Sequence, residues 1–167
     1  MPRFEEVLRE HARALQRLTF GYEASPEHRR DLLQEILVAL WRALPSFEGR
    51  SSLKTWVFRI AHNVSASHSL RERRRPKSWR SLEDVGELAS SVDGEAAALS
   101  RIRVEALGNT VRALRPLDRQ LVLLFLEGFA PGEIAEVTGL SDTNVTTKLS
   151  RLRAVLRKHV EEGPRDE

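Results

Sequence analysis

The chain has 167 residues, 41% of them hydrophobic, and a formal net charge of +3, which suits one ordinary domain or two small ones and excludes a disordered polyelectrolyte. It contains no cysteine, so disulfides, thiol catalysis and cysteine-ligated zinc are excluded within it. The basic excess is uneven, at +5 over residues 1–75, −3 over 76–98 and +1 over 99–167.

The N-terminus, MPRFEEVLREHARAL, carries a charge every few residues. It reads as a helix and not as a signal peptide, and no apolar run approaches a membrane span, so a soluble cytoplasmic protein is expected. Phe4, Val7, Leu8, Leu15 and Leu18 form its apolar stripe. A second helix starts at SPEHRRD, with Ser25 as N-cap, Pro26 at the first helical position and Glu27 complementing the dipole. Leu33, Ile36, Leu37, Leu40 and Leu44 make its apolar face, and Pro45 ends it. SFEGRSS is a loop. The third helix carries Leu53, Val57, Ile60 and Val64 inward and runs to about Arg75.

Residues 76–98 lose the periodicity and hold most of the acidic excess, so they read as a flexible linker. Helices resume near Leu99, and RPLDRQLVLLFLEGF is a further one with Gly128 as its stop. Helical periodicity is widespread and strand signals are poor, so the expected fold is all-α: two small helical domains joined by the linker.

FAPGEIAEVTGLSDTNVTTKLSRLRAVLRKHV reads as helix, turn, helix. Gly139 supplies the left-handed turn residue, Leu140 plugs the corner and Ser141 caps the second helix. Val145, Leu149, Leu152 and Leu156 make one buried stripe. The opposite face shows Thr143, Asn144, Thr146, Thr147, Lys148 and Arg151. An idle hairpin surface usually mixes Glu and Lys; hydroxyl, amide and basic groups together suit base edges in a major groove.

In SSLKTWVFRIAHNVSASHSLRERRRPKSWR, Trp56, Ile60, Asn63 and Ser67 lie beside the core stripe, while Arg59, His62 and Arg73 are expected to face solvent. The helix ends in Arg71, Arg73, Arg74 and Arg75. A cationic end holds phosphate without reading sequence. An indole beside an amide can stack on and hydrogen-bond an unpaired base. The plain alternatives are a core tryptophan, a polar surface asparagine and a solvated helix end.

With these residues in view, the chain resembles bacterial RNA polymerase sigma factors of the extracytoplasmic-function type. DLLQEILVALWRALPSFEGRSSLKTWVFRIAHNV is similar to sigma region 2, and LRPLDRQLVLLFLEGFAPGEIAEVTGLSDTNVTTKLSRLR to sigma region 4. The resemblance implies region 2 over 1–75, a linker over 76–98, region 4 over 99–160 and a tail over 161–167. It implies that Asp31, Gln34 and Glu35, which share one helix face at i, i+3 and i+4, grip core polymerase. It implies that Trp56, Arg59 and Asn63, with the loop from Phe47 to Ser52, capture flipped bases of the −10 element, and that Arg71, Arg73, Arg74 and Arg75 hold the flanking backbone. Region 4 would read the −35 element through the residues of its second helix. The implied partners are RNA polymerase core enzyme, promoter DNA and an anti-sigma factor.

Asn144 and the pair Thr146 and Thr147 depart from the more basic recognition helix common in the family, and Asp142 would repel a nearby phosphate. The competing reading is a helix-turn-helix regulator with a helical sensory N-terminal domain, which has no reason to carry the Asp31/Gln34/Glu35 face. No His-x-x-x-His pair, Gly-rich phosphate loop or nucleophile context points to an enzyme, a metal or a cofactor. As a coil, a linker of 23 residues spans roughly 26 Å, and fully stretched it reaches roughly 75 Å.

Overall fold

A computed structural model of the chain describes residues 2–74 and 95–162. These form α1 (Phe4–Tyr22), α2 (Pro26–Ala43), a single 3-10 turn (Leu44–Ser46), α3 (Leu53–Arg74), α4 (Glu95–Ala113), α5 (Pro116–Leu126), α6 (Pro131–Thr138) and α7 (Asp142–Glu162), with no strand among the described residues. The all-α expectation holds. The linker expected over 76–98 lies outside the described residues as far as 94, and α4 already includes 95–98.

Local chemistry sets the helix ends. Glu6 accepts the Arg3 N–H at 2.9 Å and so ties down the start of α1. Ser25 occupies the N-cap of α2 in extended backbone, but its hydroxyl makes no capping bond; the proline after it supplies the start. Ser52 Oγ accepts the Thr55 N–H at 3.0 Å and caps α3, inside a stretch the sequence marks only as loop. Ser141 Oγ accepts the Asn144 N–H at 3.3 Å and caps α7 as expected. Gly139, with φ +75°, closes α6 in the left-handed conformation that a side chain resists.

The buried side of α1 is Val7, His11, Leu15, Leu18 and Tyr22, while Phe4 and Leu8 stay half-buried. His11 was missing from the expected stripe because its ring counts as polar, yet it lies four residues after Val7 and packs edge-on to Phe58. In α2, Leu32, Ile36 and Leu40 are fully buried. On α3 the expectation needs correction. Val57 is buried as predicted, but Phe58, Ala61, His62, Ser65 and His68 are buried with it. His62, expected to face solvent, is 1% exposed. The reason is that α3 packs on α1 and α2 and also on α6, so it buries more than one stripe.

Burial holds the His62 pKa down at about 3, so the ring is neutral near pH 7, and its Nδ1 and the Tyr22 hydroxyl share a hydrogen bond of 2.8 Å. A folded-state value below the ordinary 6.5 means the stabilisation is complete above pH 6.5 and is lost as pH falls toward 3. The loss runs at up to about 1.4 kcal/mol per pH unit. Urea unfolding between pH 7 and pH 4 should therefore show a steeper acid loss in the wild type than in His62→Gln, which keeps an acceptor for Tyr22 but does not titrate. Equal slopes would remove His62 as a source.

Candidate polymerase and nucleic-acid interface

Helices α2 and α3 run antiparallel, because Glu35 at the middle of α2 meets His68 and Arg71 near the end of α3, while Phe47 after α2 meets Trp56 near its start. This packing brings two sequence-predicted sets together. Asp31, Gln34 and Glu35 line one open groove with Asn63, Ser67 and Arg71, with a volume of about 770 Å³. Asp31, Gln34 and Asn63 are exposed. Val38 and Arg42 extend the groove, and Trp41 on the same helix is 62% exposed. Val38 and Trp41 fall off the core stripe that periodicity shows, and a large apolar residue off that stripe is the signal that marks them in the sequence.

Glu35 differs from its two neighbours. Its carboxylate meets His68 Nδ1 at 3.1 Å and also pairs with Arg71. Partial burial works against ionisation, but the hydrogen bonds from His68 and Arg71 outweigh it and hold the carboxyl below the usual range. His68 is itself buried, and its Nε2 lies 3.3 Å from Glu23 Oε1 without hydrogen-bond geometry. Burial raises the Glu23 pKa against the attraction of His68. The exposed Arg71 is thus tied to Glu35 through its guanidinium, and Arg73 and Arg74 are exposed beyond it at the end of α3. Arg75 lies outside the described residues.

Trp56 is half-buried, with Phe47 tilted against it at 5.2 Å between ring centroids. It is therefore neither a core residue nor a free indole. Arg59 is half-buried and not wholly in solvent as expected: its Nη2 donates to the Glu136 carbonyl of α6 at 3.0 Å. On α7, Val145, Leu149 and Leu152 are buried, and Thr143, Asn144, Thr146, Thr147 and Arg151 are exposed on the other side. The Thr146 hydroxyl donates to the Asp142 carbonyl at 2.9 Å. Lys148 is half-buried and leans to within 3.8 Å of the Asp118 carboxylate. Among the described residues no group of His, Asp and Glu is placed to hold a metal ion, and no helix is long and apolar enough to cross a membrane.

The family model for sigma-70 region 2 matches residues 7–75, which span α1 to α3 and this groove, and that for sigma-70 region 4 matches 104–156, which hold the helix-turn-helix. The chain belongs to the sigma-70 family. Among its curated relatives is the RNA polymerase sigma factor YlaC of Bacillus subtilis, 27% identical over 98% of this chain and 95% of YlaC. The ECF RNA polymerase sigma-E factor of Escherichia coli K12 is 28% identical over 78% of this chain and 73% of its own. Two solved structures share the fold. RpoE from Bartonella quintana, in complex with the anti-sigma factor NepR, gives a TM-score of 0.71 at 23% identity, covering 97% of this chain and 98% of that one. CnrH in complex with the cytosolic domain of CnrY gives 0.68 at 24%, covering 96% and 89%. This sigma factor is of the extracytoplasmic-function type, with the groove in region 2 and the exposed face of α7 in region 4.

The geometry around Glu35 has a thermodynamic consequence. A double-mutant cycle of Glu35→Gln with His68→Asn should give a coupling of about 1 kcal/mol, the net worth of a charge-assisted bond that is partly screened by water. Gln34→Ala, exposed on the same face, should change stability by under about 0.5 kcal/mol. Additive effects of the two substitutions in urea unfolding would show that Glu35 and His68 do not support each other.

Proposed function

We propose that this sigma factor brings RNA polymerase core enzyme to specific promoters and opens them there, with residues 1–75 acting on the −10 element and 99–160 on the −35 element. The observation that carries the proposal is the region 2 groove. There Asp31 and Gln34, assigned to core polymerase, stand beside Asn63 and Arg71, assigned to −10 DNA. A factor that delivers a polymerase to the strand it melts needs those contacts in one rigid piece. Glu35 joins the polymerase-binding face and, through Arg71, steadies the phosphate clamp of Arg71, Arg73, Arg74 and Arg75. Trp56, Arg59 and Asn63 capture flipped bases, which repays an unstacking cost of a few kcal/mol. Thr143, Asn144, Thr146, Thr147, Lys148 and Arg151 meet the −35 duplex. The Lys148–Asp118 pair must loosen for Lys148 to reach DNA.

The protein works in the cytoplasm on this reading, has no catalytic residue and needs no metal or cofactor. An anti-sigma factor is its regulatory partner, a proposal supported by the complexes in which its structural neighbours were solved. The regulator with a sensory N-terminal domain is not favoured, because α1 to α3 match region 2 and the groove residues have a use only beside polymerase.

Run-off transcription with core enzyme on a genomic library tests the function and returns the promoter. On that promoter, Asp31→Ala with Gln34→Ala should weaken co-purification with core enzyme while helical content stays constant. Asn63→Ala should reduce opening of duplex DNA, read by permanganate reactivity, with little change in melting temperature; full opening would release Asn63 from the set. Arg73→Ala with Arg74→Ala should weaken binding to all promoters alike and lower the salt slope by up to about 0.9 per lost duplex contact. Asn144→Ala should change the preferred −35 bases, since a bidentate amide–adenine contact discriminates by about 1–3 kcal/mol.

A further inference from the structure

The proposed DNA-facing helix of region 4 carries a cation that is not free. Lys148 follows Asn144 by one turn of α7 and precedes Arg151 by another, yet it is half-buried where those two are exposed. Its Nζ stands 3.8 Å from Asp118 Oδ1 on α5. Arg115, at the N-cap of α5, takes the other oxygen, with Nε 2.9 Å and Nη2 2.8 Å from Asp118 Oδ2.

Asp118 is 8% exposed, whereas 82% of the Arg115 side chain is in solvent. A carboxylate in the first turn of a helix is favoured by the dipole, which accounts for an acid at this position. It does not account for the acid being buried beside a helix whose outer face meets DNA. A buried carboxylate needs a partner for its charge, and a solvated arginine is a weak one by itself. A negative charge there also opposes the approach of phosphate, unless it acts on a cation of the same surface. Lys148 is that cation.

Two kinds of DNA contact make different demands on Lys148. At a phosphate its ammonium gains a diffuse attraction that salt weakens. Leaving Asp118 for a phosphate replaces one anion by another and gains little. At a guanine edge in the major groove the ammonium gains directed bonds to O6 and N7. Arg115 stays on Oδ2 when Lys148 departs, so the buried charge is never left bare.

We propose that Asp118 is a positioning residue that holds Lys148 off DNA of the wrong sequence and yields it only to a matching −35 base edge. Asp118 thereby sharpens −35 discrimination without touching DNA. The consequence for DNA rests on the promoter-recognition reading; the hold on Lys148 does not.

Reductive methylation with formaldehyde, followed by mass spectrometry of the peptides, reads the hold with no DNA present. Lys148 should be labelled at least threefold faster in Asp118→Asn than in wild type, and Asp118→Glu should return the rate toward wild type. Arg115→Ala should slow labelling, since the carboxylate is then left to Lys148 alone. That variant decides the matter where Asp118→Asn loses its helical circular dichroism. An unchanged Lys148 rate in the folded variants would overturn the hold.

Holoenzyme reads the discrimination, on the promoter returned by run-off screening and on the same promoter with its −35 bases replaced. Asp118→Asn should bind the replaced promoter more tightly, with a salt slope steeper by about 0.9 for the phosphate contact that Lys148 gains. The affinity ratio between the two promoters should fall at least threefold. In a Lys148→Ala background the same substitution should leave that ratio alone. A merely structural Asp118 would weaken binding to both promoters equally at unchanged slope, and that result would overturn the role in discrimination. So would an undiminished effect in the Lys148→Ala background, because the acid would then act on DNA directly. Absence of transcripts from every holoenzyme, wild type included, would sink the promoter-recognition reading and the discrimination with it, while the methylation rates still decide whether Asp118 holds Lys148.

Discussion

Phe58 occupies the point on which both halves of the protein converge. It lies on α3, 1% exposed, with His11 of α1 edge-on at 6.5 Å and Phe129 at 4.9 Å. Full burial of such a ring contributes about 1.5–3 kcal/mol relative to exposure. The constraint it imposes is that α3 must be apolar on two sides while keeping a third side polar. That explains why buried and assigned DNA-facing residues alternate so closely there, with Val57 and Phe58 inward, Arg59 on the α6 contact, Ala61 and His62 inward and Asn63 out.

Buried polar groups on this helix follow from the same crowding. Tyr22 satisfies one nitrogen of His62 and leaves Nε2 without a partner. Ser65 turns its hydroxyl back to the Ala61 carbonyl at 2.8 Å, the usual way a helix absorbs a buried serine. His68 reaches out to Glu35 and so carries the packing of the core to the edge of the region 2 groove. Stability and the proposed polymerase and DNA contacts are therefore mechanically joined: displacing His68 moves Glu35, and through it the anchored guanidinium of Arg71.

Region 4 shows a different economy. Asp118 and Arg119 are buried charged residues on α5. Asp118 accepts from Arg115 at 2.9 Å, and Arg119 donates to the Arg112 and Leu114 carbonyls while lying 5.3 Å from the centre of the Tyr22 ring. Burial lowers the Arg119 pKa, against the pull of Tyr22 and Glu23. Arg119 thus satisfies carbonyls at the end of α4 and also meets Tyr22 of region 2. A charged seam between two modules separates at lower cost than a wholly apolar one, because water can replace its partners.

Local order in the sequence was enough for the helices, their caps at Ser141 and Gly139, the inward stripe of α7 and the outward Thr and Asn residues, because those depend on neighbours three or four positions away. The family resemblance added the two regions and their order. Periodicity could not show that His11, His62 and His68 are buried, since a histidine is placed by what it packs against and not by its polarity. Nor could it show Arg17 against Glu127 or Arg59 against Glu136, pairs separated by 110 and 77 positions. The grouping of Asp31 and Gln34 with Asn63 in one groove likewise required the antiparallel packing of α2 on α3. Sequence determined which faces each helix has; tertiary structure alone decided which of them meet, because a contact between distant segments depends on shape and charge that no single segment contains.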